Sequence, residues 1–357
     1  MRVLFAPDYR AGSPYQQLLA EALTRAGVEI RFPSGYRRGL PLVRATREAD
    51  ANAVHLHWPE AYFRDTGALA HALRKLRFPL DLRLAAHRRP LFLTAHNLWP
   101  HHQSHDALLA RAIRVAYRRA DAVFAHSSAA AELIATTFKI ARDRLHVIPH
   151  GDLAPSLPPP VSRGEARARL GYSHDGPMCL FFGALASYKG IEEVVDFWRR
   201  DLTPVQLVLA GQPATPRFEA ELRDRFAGHA NLHADFGFLP PARLADWLSA
   251  ADCAIFNYRR ILTSGGAALA RSWGLPVLIP AACNTVDLME PDPRVARFAS
   301  LDAAFGAALH TAAALGRDFD AAAQWREFCN WNRVAGLTKV AYAETARSFG
   351  FTSQSSP

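Results

Sequence analysis

Short, nearly unbroken apolar runs alternate along this chain with longer stretches in which apolar residues return every three or four positions. RVLFAP, EIRFP, AVHLHWP, PLFLTAHN, AVFAHS and LHVIPHG are continuous enough to be strands covered on both faces. Between them SPYQQLLAEALTRAG, ALAHALRKLRF, HDALLARAIRVAYRRA and SAAAELIATTF have helical spacing, and the first stops at Gly27. Strand–helix alternation of this kind predicts βαβ units and a parallel sheet. The pattern breaks in DLAPSLPPPVSRGEARARLGYSHDGP, which is rich in proline and holds one short helix. A second alternating set follows: MCLFFGA, GIEEVVDFWRR, VQLVLAG, PRFEAELRDRFAG, NLHADFG, ARLADWLSAA, CAIFNY, SGGAALARSWG and PVLIP. From about Leu301 onward the chain is alanine-rich and helical.

The expected architecture is therefore α/β, with two doubly wound domains. The first spans residues 1–155, a linker 156–176, the second domain 177–325, and terminal helices 326–357. In open α/β sheets ligands bind beyond the carboxyl ends of the strands. Two such domains facing each other across a cleft suit a reaction between two substrates, one held by each half.

Composition narrows the partners. The chain has 357 residues, half of them hydrophobic, which is ample for two cores. Its formal net charge is +9, which fits a nucleic acid, an anionic membrane face or an anionic small substrate. The arginines are scattered along helices and no nucleic-acid-reading motif is present, so a solvated face is the plain alternative and no nucleic-acid partner is expected. The four cysteines form no C-x-x-C pair, so metal-ligand spacing is absent and no metal is expected. Free apolar cysteines fit a reducing cytoplasm. MRVLFAPDY does not resemble a signal peptide, and no window has about 18 apolar residues in a row.

Polar chemistry gathers at the strand ends. In FFGALASYKG, Gly183 allows a close turn, and Lys189 precedes a helix, where a cation opposes the helix dipole unless an anion lies between them. Gly211 ends the strand of LAGQP. In NYRRILTSGGAALARSWG, Thr263, Ser264, Gly265 and Gly266 combine hydroxyls with bare N–H groups at a helix start, a surface on which a diphosphate could lie. A surface lysine and a tightly packed glycine are the plain alternatives. The fifteen histidines cluster at strand ends of the first half: His55, His57 and Glu60 in HLHWPE, His96, Asn97, His101 and His102 in TAHNLWPHH, His126, and His150 with Asp152 in PHGD.

The succession VIPHGD, FFGALASYKGIEEVVDFW, LAGQP, NLHADFGFLPPARLADWLSAADCAIFNY and SGGAALARSWGLPVLIP resembles the carboxyl half of nucleotide-sugar glycosyltransferases of the GT-B fold, nearest the family 4-like clan. SPYQQLLAEAL, HLHWPE, TAHNLWPHH and ADAVFAHS resemble the amino half. The resemblance implies that Lys189 neutralises the donor diphosphate and that the amides of Ser264, Gly265 and Gly266 hold its distal phosphate. It implies that Gly183, Gly211 and the segment 236–239, with Phe238, shape the nucleotide pocket. Thr263 would complete the donor loop, and the terminal helices would cross back to the first domain. Ser13, Tyr15, His57, Trp58 and Trp99 become acceptor contacts, although such aromatics also simply pack.

The departures from the family pattern carry information too. Retaining members of the clan place two glutamates as E-x7-E around the loop, and the matching positions here are Ile261 and Leu269. An arginine common after the first glycine of the lysine motif is Ala184. The Thr-Ser-Gly loop looks more like bacterial exopolysaccharide β-mannosyltransferases. Inversion needs a base on the acceptor hydroxyl, with Glu60 the first candidate and His96 the second. The expectation is transfer of a hexose from GDP- or UDP-sugar, with no cofactor, to a carbohydrate or lipid-linked acceptor. It would occur in the cytoplasm, with docking on the inner membrane face through RAIRVAYRR as an option. A retaining transferase, a silent nucleotide-sugar-binding homologue and an epimerase or phosphorylase-like enzyme remain as alternatives.

Overall fold

The computed structural model describes residues 1–34, 39–63, 68–99, 106–200 and 203–350. They form two compact units, Met1–Gly151 with Cys329–Pro357, and Asp152–Phe328. The terminal helix Trp331–Arg347 thus belongs to the first unit, with Tyr342 hydrogen-bonded to His55 there.

The first unit contains β1 (Arg2–Ala6), β2 (Glu29–Arg31), β3 (Ala53–His57), β4 (Leu91–Thr94), β5 (Ala122–Ala125) and β6 (Leu145–Val147). They lie in the order β2-β1-β3-β4-β5-β6, all parallel. The central strands are apolar on both faces because helices cover both, so Val3–Ala6 and Leu91–Leu93 are wholly buried. The second unit contains β7 (Met178–Phe182), β8 (Gln206–Gly211), β9 (Leu232–Phe236), β10 (Cys253–Ile255), β11 (Val277–Pro280) and β12 (Val295–Phe298). Their order is β12-β11-β10-β7-β8-β9, again parallel throughout. Its core packs Phe181, Leu207 and Leu209 of the sheet against Trp198 and Phe305 of the helices.

Each sheet has one place where the chain reverses its direction of travel. In the first unit it lies between β1 and β3, and in the second between β7 and β10. Crevices at such reversals, beyond the strand carboxyl ends, are where this class of sheet binds ligands.

Two helices differ from the sequence pattern. Pro41–Glu48 is a helix whose own cap position, Leu40, supplies no side-chain acceptor. The cap comes instead from the buried Asp81 carboxylate, which accepts from the Leu42 and Val43 amides at 3.0 Å each. The following helix runs Ala68–Ala85, straight through Pro79, where the sequence pattern stops at Phe78. Proline removes one N–H from the ladder, but Phe78, Leu82 and Ala85 on the inner side are buried, and that packing carries the helix across the break.

Candidate functional site

In the second unit the reversal between β7 and β10 places two loops side by side. β7 ends at Phe182, and Gly183 turns the chain with φ +97° into a short 3-10 turn, Ser187–Lys189, before the helix Ile191–Arg200. Lys189 is only 9% exposed. Its Nζ lies beside Gly183, 3.8 Å from the point a β-carbon there would occupy, and 5.7 Å from the Tyr258 ring centroid. Among the described residues no carboxylate pairs with it, and burial alone pulls its pKa down to about 8. An ammonium kept out of water without a counter-ion is costly unless an anion arrives.

The second loop follows β10 and leads into the helix Gly265–Ser272. Ser264 is the N-cap: its Oγ accepts from the Ala267 amide at 3.0 Å and lies 3.0 Å from the Tyr258 hydroxyl. Its hydroxyl is therefore held by the protein rather than offered to a ligand. The Gly265 and Gly266 amides stand at the first two helical positions, where no carbonyl of the helix can accept from them. Gly266 is required by space, because a β-carbon there would come within 2.9 Å of the Phe256 ring. Thr263 is half-buried beside them. Ile261 and Leu269 bring no charge, and Leu269 is buried.

The neighbouring strand ends are laced to this site through backbone. Gly211, φ +149°, passes so close to β7 that a β-carbon would sit 1.8 Å from the Gly183 carbonyl oxygen. The Gly211 carbonyl accepts from the Gly237 amide at 3.0 Å, and the Leu185 amide donates to the Gln212 carbonyl at 2.8 Å. Phe238, next to Gly237, is 80% exposed. Asp152 is committed elsewhere in this unit. It accepts from Ser272 Oγ at 2.7 Å and from the Ala154 amide at 2.9 Å, and burial raises its pKa.

The first unit gathers a different set around Tyr15, which is buried in the helix Pro14–Arg25. The Tyr15 ring centroid lies 4.8 Å from that of His96, 5.1 Å from His150, 5.8 Å from His126 and 5.6 Å from Trp331. His96 stacks flat on Trp58 at 3.7 Å, and Trp58 holds φ +45° at the end of β3. His55 is bound on both nitrogens, to Tyr342 Oη at 2.5 Å and Thr94 Oγ1 at 2.8 Å. His126 Nδ1 donates to the Ile148 carbonyl at 2.9 Å, while Nε2 of His57 and of His126 is buried without a partner among the described residues.

Burial holds every one of these imidazoles neutral. His57 and His126 are pushed down to about 3 and His150 to about 4, and His55 and His96 also fall well below the usual histidine value. His57, expected at the acceptor, is wholly buried behind Phe5 and Tyr15. His96 is 5% exposed and too weakly basic to collect a proton readily at neutral pH. Glu60, the other candidate base, is half-buried in the turn Pro59–Phe63. Its Oε1 accepts from Asn97 Nδ2 at 3.1 Å, and the Asn97 carbonyl accepts from Tyr117 Oη at 2.7 Å. Ser13 is partly exposed and accepts from the Tyr15 amide at 3.4 Å. Trp99 stands apart, against Phe138 and Arg114. His101 and His102 lie outside the described residues. Among the described residues no group of His, Cys, Asp and Glu could hold a metal ion, and no helix is long and apolar enough to cross a membrane.

Sequence reasoning missed Tyr258, Tyr342 and Trp331. Tyr258 stood inside the donor-loop stretch, but nothing in the spacing tied its hydroxyl to Ser264. Tyr342 and Trp331 are far from the other first-unit residues along the chain, and ordinary helical aromatics give no sign of such partners.

Comparison with known proteins agrees with this architecture. Residues 3–151 match the family Glycosyltransferase Family 4. The chain is 27% identical over 276 residues to a GDP-mannose:glycolipid 4-beta-D-mannosyltransferase of Xanthomonas campestris pv. campestris, covering 75% of this chain and 70% of that protein. Among solved structures it is similar to Anabaena HepE in complex with UDP-glucose, with a TM-score of 0.68 and 16% identity over 98% of this chain and 100% of the other. It is similar as well to sucrose-phosphate synthase from Thermosynechococcus elongatus, with a TM-score of 0.72 and 18% identity over 97% and 99% of the two chains.

Proposed function

We propose, from the premise that this chain is a glycosyltransferase of the GT-B fold working from a nucleotide-sugar donor, that it moves a hexose with inversion to a carbohydrate or lipid-linked acceptor. The setting would be bacterial exopolysaccharide or glycolipid synthesis at the cytoplasmic face of a membrane. The observation that carries the donor half is the buried, unpaired Lys189 ammonium, next to Gly183, in the same unit as the free Gly265 and Gly266 amides. A diphosphate supplies the counter-charge that Lys189 lacks and the acceptors that those amides lack. As the glycosidic bond breaks, negative charge grows on the leaving phosphate, and fixed donors stabilise it more than the ground state.

Inversion is supported by what surrounds the loop. Ile261 and Leu269 offer neither a nucleophile nor a hydrogen bond on the donor's own face. Attack from the other face requires a base to take the acceptor proton. A free carboxylate is ionised at neutral pH, whereas burial holds His96 neutral and weakly basic, so Glu60 is the base we favour. Asn97 orients the Glu60 carboxylate.

GDP-mannose is the first donor to try, because the Xanthomonas relative is named for it, and UDP-glucose is the second. The test is incubation with each donor and a glycolipid acceptor, followed by NMR of the product. A β-linked product from an α-linked donor is the expected result. An α-linked product would overturn inversion, and failure to transfer or hydrolyse any nucleotide sugar would overturn the catalytic assignment.

A further inference from the structure

β10 ends at Ile255, and each of the three residues after it reaches a different part of the donor site. Phe256 is buried, and its ring limits the space at Gly266, the second of the two bare amides. Tyr258 is buried as well. Its hydroxyl meets Ser264 Oγ at 3.0 Å, and its ring centroid lies 5.7 Å from Lys189 Nζ. Asn257, half-buried between them, turns instead to the lysine loop, where its Nδ2 donates to the Gly190 carbonyl at 2.8 Å.

Gly190 is the corner at which the lysine turn closes. It holds φ +62°, and its amide donates to the Ser187 carbonyl at 3.0 Å, as the Lys189 amide does to the Ala186 carbonyl at 2.9 Å. Those bonds shape the turn but are local, so they do not fix where the turn stands in the unit. Asn257 does, and it is packed tightly there. A β-carbon on Gly190 would come within 2.5 Å of both Asn257 Nδ2 and the Asn257 carbonyl oxygen. Two further links join the same loops and are weaker. The Arg259 amide lies a long 3.4 Å from the Tyr188 carbonyl, and the Arg259–Glu193 ion pair is exposed. The Gly190 carbonyl can only accept, so the side chain that meets it must donate.

The stretch Phe256–Tyr258 therefore braces both halves of the donor site from one strand end. The spacing of those halves matters for a ligand with two phosphates, which can reach the ammonium and the amides together. A ligand with one phosphate gains much less from having both in place. Donors held at the right separation before the ligand arrives need no rearrangement when it binds.

We propose that Asn257 is a positioning residue for diphosphate recognition. Through the Gly190 carbonyl it holds Lys189 at a set distance from the Gly265 and Gly266 amides, so that one nucleoside diphosphate engages both. This deepens the donor reading above and rests on it.

The experiment is calorimetry with GDP and UDP, and with the monophosphates GMP and UMP. Asn257→Ala should weaken the better-bound diphosphate about tenfold and its monophosphate no more than about twofold. Asn257→Asp keeps the outline of the side chain, loses the donor and should show the same selective loss. The decisive step is a double-mutant cycle. In a Lys189→Ala background, Asn257→Ala should change diphosphate affinity by less than about twofold, because the residue it positions is gone. A general loosening of the unit would weaken binding equally in both backgrounds and equally for monophosphate. Either result would overturn the proposal, and so would unchanged diphosphate affinity in both Asn257 variants. In those cases a parent that binds diphosphate and responds to Lys189→Ala keeps the donor reading intact. A parent that binds neither diphosphate, or that ignores Lys189→Ala, would defeat the donor reading itself and this inference with it.

Discussion

The two units share one architecture and solve the same problem in opposite ways. Each is a six-stranded parallel sheet with a single reversal. At the second unit's reversal charge and hydrogen bonds are left unspent among the described residues: a buried ammonium without a carboxylate, and two helix-start amides without acceptors. At the first unit's reversal it gathers neutral imidazoles and aromatic rings, most of them already bound or stacked. A fold of this kind fixes where a ligand sits, while the residues at the strand ends decide which ligand. An anion needs fixed positive potential. A sugar needs flat apolar faces and a few neutral partners.

The largest expected effect breaks the comparison with acid. Burial holds His55, His57, His96, His126 and His150 below the usual 6.5, whereas in the unfolded chain they titrate near it. The unfolded state therefore binds more protons below pH 6.5. Stability is full above that value and is lost as pH falls towards the folded values of about 3 to 4, by about 1.4 kcal/mol per pH unit for each histidine involved. The second unit has among its described histidines one depressed ring, the half-buried His233. Urea unfolding between pH 7.5 and 5, followed by proteolysis and mass spectrometry of each unit's peptides, should show the first unit's midpoint falling much faster. Equal slopes would mean that the cluster takes up protons without leaving the fold.

Next in size is Glu60→Gln. It keeps the Asn97 contact but removes the proposed base, and turnover should drop by about 10²–10⁴-fold with donor affinity nearly intact. A variant that lost donor affinity instead would place Glu60 in the wrong role. Lys189→Ala should do the reverse and cost about 1.5–3 kcal/mol of nucleotide binding by calorimetry, the range for a charge-assisted hydrogen bond. Since Lys189 titrates near 8 in the free protein, nucleotide affinity should hold at neutral pH and weaken as pH rises past 8. A flat profile to pH 9.5 would show that the amides hold the diphosphate alone.

What the sequence disclosed, and what it hid, follows the same division. Strands such as MCLFF and LVLA were plain because a strand buried on both faces must be apolar throughout. Lys189 and the Ser264–Gly266 turn were plain because a cation or a pair of glycines at a helix start needs a local explanation. The lysine's lack of a partner was not, since it depends on what every other element fails to bring. The helix Pro41–Glu48 was hidden because its cap, Asp81, lies some forty positions downstream. His55 looked like a catalytic candidate until Tyr342, 287 residues away, closed off its second nitrogen. Local chemistry can be read from local sequence. Whether a polar group is spent or spare is settled by contacts of long range.

The smallest effect sharpens the comparison most finely, because it separates the spent groups of the donor loop from the spare ones. Ser264 Oγ does two tasks, capping Ala267 and meeting Tyr258 Oη. Ser264→Ala should cost about 0.5–2 kcal/mol of stability, as lost N-caps do. It should also loosen the turn that aims the Gly265 and Gly266 amides, so nucleotide affinity should fall modestly alongside. Tyr258→Phe removes only the outer partner and keeps the cap, since the Ser264 oxygen still accepts from Ala267. Its stability cost should be smaller, about 0.5–1.5 kcal/mol, and its affinity change smaller still. Thermal melts with and without nucleotide measure both. If Ser264→Ala lost nucleotide binding as completely as Lys189→Ala while stability stayed the same, the hydroxyl would be a direct ligand. The cap would then be a resting arrangement that the diphosphate displaces.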